Sequence, residues 1–275
     1  MSSSRLKAFL KRTLPGPLRR PLITVYRLLT NGEELATMGK FVGSAIPHTN
    51  VWTRVSIVHR CVWTSFFVES PHGQHEILSF IRAVLELPDS LTGCVIEAGC
   101  YKGSSTAKFS IAARLVGRKL VIFDSFQGMP GNVETHDSDI FGRPISFSEG
   151  SYRGALEEAR RNVARFGDLE VCEFVEGWFA DTMPSFAEPI AAIYVDVDLA
   201  SSTQTCLKYL YPLLSPGGVL FSQDGHVPLV VDVYQDERFW SDDVGFRKPS
   251  VENIGVGKLI WLRKPEAERN PLPSN

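Results

Sequence analysis

The stretch GCVIEAGCYKGSST, residues 93–106, decides the fold. Its apolar run from Cys94 to Ile96 is typical of a buried strand. The residues Ser104–Thr106 are typical N-caps of a helix, and Gly99 and Gly103 allow a sharp backbone turn between the two elements. The stretch therefore predicts a strand, a tight turn and a helix, which together begin an α/β unit.

The same alternation continues along the chain. Further strands are predicted at 119–126, 170–177, 191–198, 219–224 and 255–263, and helices at 104–116, 154–167 and 201–214. The helix at 201–214 is predicted to be capped within Ser201–Thr203. This pattern is typical of a doubly wound, mostly parallel α/β sheet. Because such sheets bind ligands beyond the carboxyl ends of their strands, residues at those ends are candidate site residues.

Acidic side chains end several of these strands, namely Glu97, Asp124, Asp196, Asp198 and Asp224. The glycine turn does not match G-x-G-x-x-G, because Tyr101 and Ser104 stand where glycines would, and this disfavours a nicotinamide dehydrogenase. Glu97 would repel a pyrophosphate, whereas Asp124 ends the next strand, where a carboxylate binds ribose hydroxyls. The pattern favours a positively charged nucleoside, which describes S-adenosylmethionine.

Composition limits the class of protein. The chain has 275 residues, 44% hydrophobic and 22% charged, with a net charge of −2, which suits a globular domain and gives no electrostatic basis for nucleic-acid binding. Its five cysteines are scattered and never form C-x-x-C pairs, so we predict free thiols in a reducing, cytoplasmic compartment. No apolar run approaches the ~20 residues that span a bilayer.

The N-terminal segment is basic, with no acidic residue before Glu33. Three interpretations stay open: a targeting peptide, a peripheral contact with an anionic membrane, or simply a basic N-terminus. We predict a basic extension at 1–40, a helical lid at 41–92, a catalytic domain at 93–264 and a disordered tail at 265–275. Aromatic residues before position 70 also predict self-association into a homo-oligomer.

Four stretches carry a family resemblance: VIEAGCYKGSST (95–106), VIFDSFQGMP (121–130), VEGWFADTMP (175–184) and YVDVDLASSTQTCLKYLYPLLSPGGVLFSQD (194–224). In this order they resemble the macrocin O-methyltransferase (TylF-type) family of S-adenosylmethionine-dependent enzymes. The resemblance implies a class I methyltransferase (Rossmann-like) fold with an N-terminal helical lid. It also implies methylation of a hydroxyl, often on a sugar of a natural product, with help from a divalent metal.

The resemblance also implies a metal site. In the family pattern, the second aspartate of D-x-D and two adjacent acids after the next strand hold the ion; here these positions are Asp198, Gln223 and Asp224. Oxygen ligands select Mg²⁺, so Mg²⁺ is the expected metal. Gln223 departs from the pattern, since the family usually has aspartate there, and the missing charge predicts a weakened site. His226 would favour a softer ion such as Mn²⁺.

The remaining site predictions concern the cofactor, the acceptor and the general base. The cofactor-binding residues are predicted to be Glu97, Gly99, Tyr101, Gly103, Ser104, Ser105, Asp124, Ser125, Phe126, Gly177, Trp178 and Asp196. Candidates for the base that takes the proton of a small-molecule or glycan acceptor are His136, Asp196 and His226. Two rival hypotheses stay open: a metal-independent enzyme of the same fold that methylates a phenol or carboxylate with a histidine base, and a non-catalytic partner at a membrane surface.

Overall fold

The structure is a computed structural model that describes residues 21–26, 30 and 32–266. Most of the predicted basic extension and of the predicted disordered tail lies outside these residues. Within the described part of the chain, no helix is long and apolar enough to cross a membrane.

The sheet is preceded by a helical segment at 21–26 and by the helices α1 (Gly32–Gly43), α2 (Val51–Phe67) and α3 (Gln74–Leu85). The α/β part then runs through β1 (Cys94–Ala98), α4 (Ser104–Leu115), β2 (Leu120–Asp124), α5 (Leu156–Phe166), β3 (Cys172–Glu176), the short α6 (Phe179–Thr182), β4 (Ile190–Val195), α7 (Ala200–Leu210), β5 (Leu214–Ser222), α8 (Pro228–Gln235), a π-helix (Phe239–Val244) and β6 (Ile260–Arg263). The strand–helix alternation predicted from 93 onward is confirmed.

The six strands form one sheet in the order β3-β2-β1-β4-β5-β6. Strands β1 to β5 are parallel to one another, and β6 pairs with β5 in the antiparallel direction. This confirms the predicted doubly wound, mostly parallel sheet. The strand order reverses between β1 and β4, so the crevice beyond their carboxyl ends is the expected ligand site.

Apolar side chains on the two faces of the sheet make two separate cores. Val95, Ile122 and Tyr194 pack under the helices α1 to α4, whereas Ile96 and Ile193 pack on the opposite side against α7, α8 and the π-helix. Strand β4 is buried along its whole length, which explains its almost continuous apolar sequence, since a strand covered on both faces does not alternate. Burial on both sides fixes the strand ends that line the crevice.

The start of α7 differs from the prediction that it is capped within Ser201–Thr203. The helix begins at Ala200, and its first amides are capped by a carboxylate distant in sequence. Glu134 accepts hydrogen bonds from the backbone N–H groups of Ala200 and Ser201, each at 2.9 Å, and from the Ser201 hydroxyl at 2.7 Å. A negative charge at this end also suits the helix dipole. The long loop after β2 is thereby attached to α7.

We expect Glu134→Ala to lower the free energy of unfolding by about 1 kcal/mol, the usual cost of a lost cap. Burial alone would raise the pKa of Glu134, but the hydrogen bonds from Ser201 and Ala200 outweigh it and lower the pKa. The stabilisation is therefore present above the unfolded-state pKa and lost as the pH falls through the folded-state pKa. Urea titrations at pH 7 and in acid test this, with the exposed Glu149→Ala as control; equal losses in the two variants at pH 7 would contradict it.

The last strand is also shorter than predicted. Residues 255–259 form a turn and bend instead of a strand, and β6 begins at Ile260. Gly225 explains the difference, because its amide bonds to the carbonyl oxygen of Lys258 at 3.0 Å. A side chain at this glycine would meet the backbone of Gly257 and Lys258. The glycine after β5 thus allows this loop to fold against the sheet end and brings Lys258 to the crevice.

Candidate active site

A cavity of about 430 Å³ lies beyond the carboxyl ends of β1, β2 and β4. Its size is within the range of roughly 300–1,000 Å³ that is usual for small-molecule sites. Its floor includes Gly99, Asp124 and Asp196, and loops at 69–72 and 144–147 contribute to its wall. The cavity is therefore where the strand order predicts a ligand.

Gly99 is required by a close backbone approach at the floor of the cavity. Its φ is +85°, and a Cβ at this position would overlap the carbonyl oxygen of Asp196. The contact joins the end of β1 to the end of β4, whose Asp196 amide in turn donates to the carbonyl oxygen of Ala98 at 2.9 Å. The glycine turn thus sets the position of Asp196 as well as the opening for a ligand.

Asp124 stabilises the same turn from β2. Its Oδ2 accepts hydrogen bonds from the amides of Cys100 at 2.7 Å and Tyr101 at 3.1 Å, and its Oδ1 accepts one from Phe126 at 2.7 Å. Tyr101 and Phe126 both have positive φ, +51° and +56°, a strained conformation that side chains avoid unless the surroundings impose it. Since a carboxylate has about four acceptor positions, Asp124 keeps capacity for about one further hydrogen bond, from a ligand hydroxyl.

Glu97 lies beneath the cavity and not among its lining residues. It is fully buried, and its Oε2 accepts a hydrogen bond from the Thr106 hydroxyl at 2.6 Å. Its Oε1 has no hydrogen-bond partner among the described residues. Burial raises the pKa of Glu97 to about 8. The carboxyl therefore holds the start of α4, in its protonated form near neutral pH.

We expect Glu97→Gln to become progressively more stable than the wild type as the pH rises from about 5 to 8. A carboxyl whose folded-state pKa exceeds its unfolded-state pKa costs stability as the pH rises between the two values, and glutamine has no proton to lose. Melting temperatures measured across this range without ligand test the prediction. A constant difference between the two proteins would show that Glu97 does not titrate there.

Nine of the twelve predicted cofactor residues line the cavity: Gly99, Tyr101, Ser104, Ser105, Asp124, Ser125, Gly177, Trp178 and Asp196. Besides Glu97, the exceptions are Gly103 and Phe126. Gly103 adopts a left-handed conformation before α4 and abuts Ala159. The Phe126 ring packs in the core, 6.4 Å from that of Phe174. Neither residue lines the cavity, so the prediction that they contact the ligand is corrected.

One end of the cavity, here called the acidic end, contains Asp196 and Asp198. A histidine that the sequence did not indicate lies at this end. His72 Nε2 bonds to Asp196 Oδ2 at 2.8 Å, and the His72 side chain is only 3% exposed. Burial acts to raise the pKa of Asp196, but His72 outweighs it and lowers the pKa. The pairing spans 124 residues and follows no local motif, so only the packing of the segment between α2 and α3 against the sheet reveals it.

The predicted metal ligands are not arranged to bind an ion together. Gln223 is fully buried, and its carbonyl oxygen accepts a hydrogen bond from the Tyr194 hydroxyl at 2.8 Å. Asp224 is also fully buried, and its Oδ2 accepts hydrogen bonds from the amides of Val197 and Asp198, both at 2.9 Å. Of the three, only Asp198 lines the cavity. Among the described residues, no group of three His, Cys, Asp or Glu side chains could hold a metal.

A cationic side chain lies beside these carboxyls instead. Lys258 lines the cavity together with Asp196, Asp198 and His226. Burial and the neighbouring Asp224 raise the pKa of Asp198 well above its usual value, whereas the charge of Lys258 opposes this shift. The donor set therefore does not fit a divalent ion.

The two histidines predicted as bases differ in position. His136 does not line the cavity; its side chain is 2% exposed and packs edge-on to Phe147, with ring centroids 4.9 Å apart. Its prediction as a base is therefore corrected, because no acceptor in the cavity reaches it. His226 lines the cavity, and burial, followed by the charge of Lys258, lowers its pKa to about 4. It is neutral at physiological pH.

Comparison with known proteins shows which family the chain resembles. A profile of the macrocin-O-methyltransferase (TylF) family matches residues 75–244. The chain is 32% identical over 196 residues to the 8-demethyl-8-(2,3-dimethoxy-alpha-L-rhamnosyl)-tetracenomycin-C 4'-O-methyltransferase of Streptomyces olivaceus, a match covering 68% of this chain and 72% of the relative. It is 32% identical to the mycinamicin III 3''-O-methyltransferase of Micromonospora griseorubida, a match covering 62% and 69% of the two chains.

Two solved structures share the fold. The O-methyltransferase NovP superposes with a TM-score of 0.56 and 24% identity, covering 70% of this chain and 81% of its own. The calicheamicin methyltransferase CalS11 superposes with a TM-score of 0.54 and 18% identity, covering 84% and 91%. The predicted class I methyltransferase fold is thereby confirmed.

Proposed function

Because the chain belongs to the macrocin-O-methyltransferase (TylF) family, it is an S-adenosylmethionine-dependent O-methyltransferase, and we propose that its acceptor is a sugar hydroxyl on a glycosylated small molecule. The relatives whose names specify a methylated position on such a compound support this acceptor class. The observation that carries the proposal is the single cavity that joins the glycine turn and Asp124 to Asp196 and Asp198.

The cofactor would lie over the glycine turn. Asp124 would accept a hydrogen bond from a ribose hydroxyl, as acids at this strand end do in dinucleotide folds, and Trp178 would border the adenine. The sulfonium would then point toward Asp196, whose negative charge attracts it. This placement leaves the wall formed by the 69–72 loop for the acceptor.

Asp196 is the group that we propose takes the proton. The acceptor oxygen attacks the methyl carbon in line with the departing sulfur: an O–C bond forms, the C–S bond breaks, and the hydroxyl proton passes to the Asp196 carboxylate. S-adenosylhomocysteine leaves with the electron pair on its sulfur. His72, which holds Oδ2 at 2.8 Å, acts as a positioning residue that leaves the other oxygen for the acceptor.

A second function has one observation in its favour. His226 lines the cavity and has a lowered pKa, so it is an unprotonated base suited to an acceptor that needs little activation, such as a phenol or a carboxylic acid. The third hypothesis, a non-catalytic partner at a membrane surface, depends on the basic N-terminal segment, most of which lies outside the described residues.

The acceptor class is tested by a methyl-transfer screen with radiolabelled S-adenosylmethionine. We expect label in compounds with a free sugar hydroxyl and none in the matched aglycones. Label in phenols or carboxylic acids alone would favour the second function. Absence of calorimetric binding of S-adenosylmethionine to the folded protein would favour a vestigial pocket.

A further inference from the structure

We propose that the Lys258 ammonium is the resident cation of the acidic end of the cavity, and that the enzyme transfers methyl groups without a divalent metal. The inference rests on the proposed function, since it assigns the activating charge at the same site. Lys258 would supply the positive charge beside the acceptor oxygen, whereas Asp196 would receive the proton.

The position of Lys258 is fixed by the backbone around it. Its carbonyl oxygen accepts the amide hydrogen of Gly225, at 3.0 Å, directly after Asp224. Gly225 packs closely on this loop, so that a Cβ would overlap the Ile260 side chain and crowd the carbonyl oxygens of Gly257 and Lys258. The loop before β6 is therefore held against the end of β5. The side chain is half-buried at the cavity wall instead of extending into solvent.

The Lys258 ammonium is available for a ligand. Within the described part of the chain it forms no hydrogen bond and no ion pair, in contrast to the nearby His72, which is paired with Asp196. Its charge nevertheless acts on the whole cluster, because it adds to the effect of His72 that lowers the pKa of Asp196 and opposes the rise in the pKa values of Asp198 and Asp224. An unpaired cation among carboxyls is placed to attract an acceptor hydroxyl and to lower the free energy of its deprotonated form.

The predicted metal ligands near Lys258 offer too few accessible oxygens for a metal, because two of the three do not reach the cavity. Asp224 and Gln223 use an oxygen each on internal hydrogen bonds and are fully buried. Mg²⁺ requires a near-octahedral set of oxygen ligands, and Asp198 is the cavity-lining member of the predicted trio. A divalent ion there would also be repelled by the ammonium. One monovalent side-chain cation offsets the charge without displacing these hydrogen bonds.

The proposal gives a direct binding test that does not depend on turnover. Titration of Mn²⁺ into the wild type with S-adenosylhomocysteine, followed by electron paramagnetic resonance, should show no saturable site below millimolar concentration. The double variant Lys258→Ala/Gln223→Asp, which removes the cation and adds a carboxylate, should gain such a site. A stoichiometric Mn²⁺ site in the wild type that Asp198→Asn abolishes would overturn the proposal.

Activity gives the second test. We expect Lys258→Ala to lower kcat by roughly 10²-fold, a typical effect of removing one preorganised charge, with the Kd of S-adenosylmethionine unchanged within a few-fold. Lys258→Arg should recover part of the loss, and Lys208→Ala, on the outer side of α7, should behave as wild type. EDTA should leave wild-type turnover intact. Full activity of Lys258→Ala, or loss of activity in EDTA restored by Mg²⁺, would overturn the proposal.

The acceptor class and the role of Lys258 are tested by separate results. If the wild type binds S-adenosylmethionine but methylates no sugar hydroxyl, the proposed acceptor is wrong, while the Mn²⁺ titration still decides the identity of the cation. If sugars are methylated only with added metal, the acceptor stands and the role of Lys258 falls.

Discussion

Replacing Asp196 by asparagine should lower kcat by roughly 10²–10⁴-fold, the usual contribution of a positioned general base, which corresponds to about 3–5 kcal/mol of transition-state stabilisation. Asparagine keeps the size of the side chain, and its carbonyl oxygen can still accept the hydrogen bond from His72 Nε2. The geometry of the pair is therefore preserved, while the ability to receive a proton is lost. The Kd of S-adenosylmethionine should change by only a few-fold.

Single-turnover methyl transfer with saturating cofactor measures this effect apart from product release. Asp232→Asn, an exposed carboxylate on α8, is the matched control and should retain wild-type turnover. His72→Gln should give a smaller loss in kcat than Asp196→Asn, because it removes the orientation but leaves the base. Wild-type turnover by Asp196→Asn would assign the proton to another group, with His226 the next candidate.

The second large effect is expected for Gly99→Ala. Left-handed backbone costs a residue with a Cβ about 1–2 kcal/mol, and the added methyl meets the Asp196 carbonyl, a type of overpacking that costs a further ~1–3 kcal/mol. We expect the free energy of unfolding to fall by roughly 2–5 kcal/mol. Binding of S-adenosylmethionine should become undetectable by calorimetry, because the turn and Asp196 must move apart.

Gly117→Ala separates the cost of the left-handed backbone from the cost of the overlap with Asp196. Gly117 also has a positive φ, +63°, but no atom lies within 4 Å of the position that its Cβ would take. This variant should therefore show the backbone cost alone, about 1–2 kcal/mol, and bind the cofactor as the wild type does. Equal losses in the two alanine variants, with cofactor binding kept in both, would contradict the close approach of β1 to β4 as the basis of the site.

Local patterns were sufficient to predict much of the fold. The apolar runs that became β1, β2 and β4, and the glycine after β1, each depend on neighbours in sequence. The start of α7 and the end of β6 could not be obtained this way. Glu134 caps a helix 66 residues away, and Gly225 bends the loop at 257–258 through a contact that exists only after β5 and β6 pair.

The residues of the candidate site fall into the same two groups, those that local sequence patterns predict and those that depend on contacts distant in sequence. Strand-end residues such as Asp124, Asp196 and Asp198 were identifiable because parallel strands place their carboxyl ends at one edge. The direction in which a side chain points was not identifiable. Gln223 turns inward to Tyr194, whereas His72 and Lys258 enter the cavity from segments that carry no motif. Side chains that come together only when distant segments pack against each other leave little signal in a single sequence.

The most direct test of the account is a crystal structure with S-adenosylhomocysteine bound. We expect one ligand per chain, with a ribose hydroxyl on Asp124, its adenine beside Trp178, and its sulfur facing the end of the cavity that holds Asp196 and Lys258. A ligand bound elsewhere, or a sulfur directed away from Asp196, would contradict the claim that this cavity brings the methyl donor to the acceptor hydroxyl.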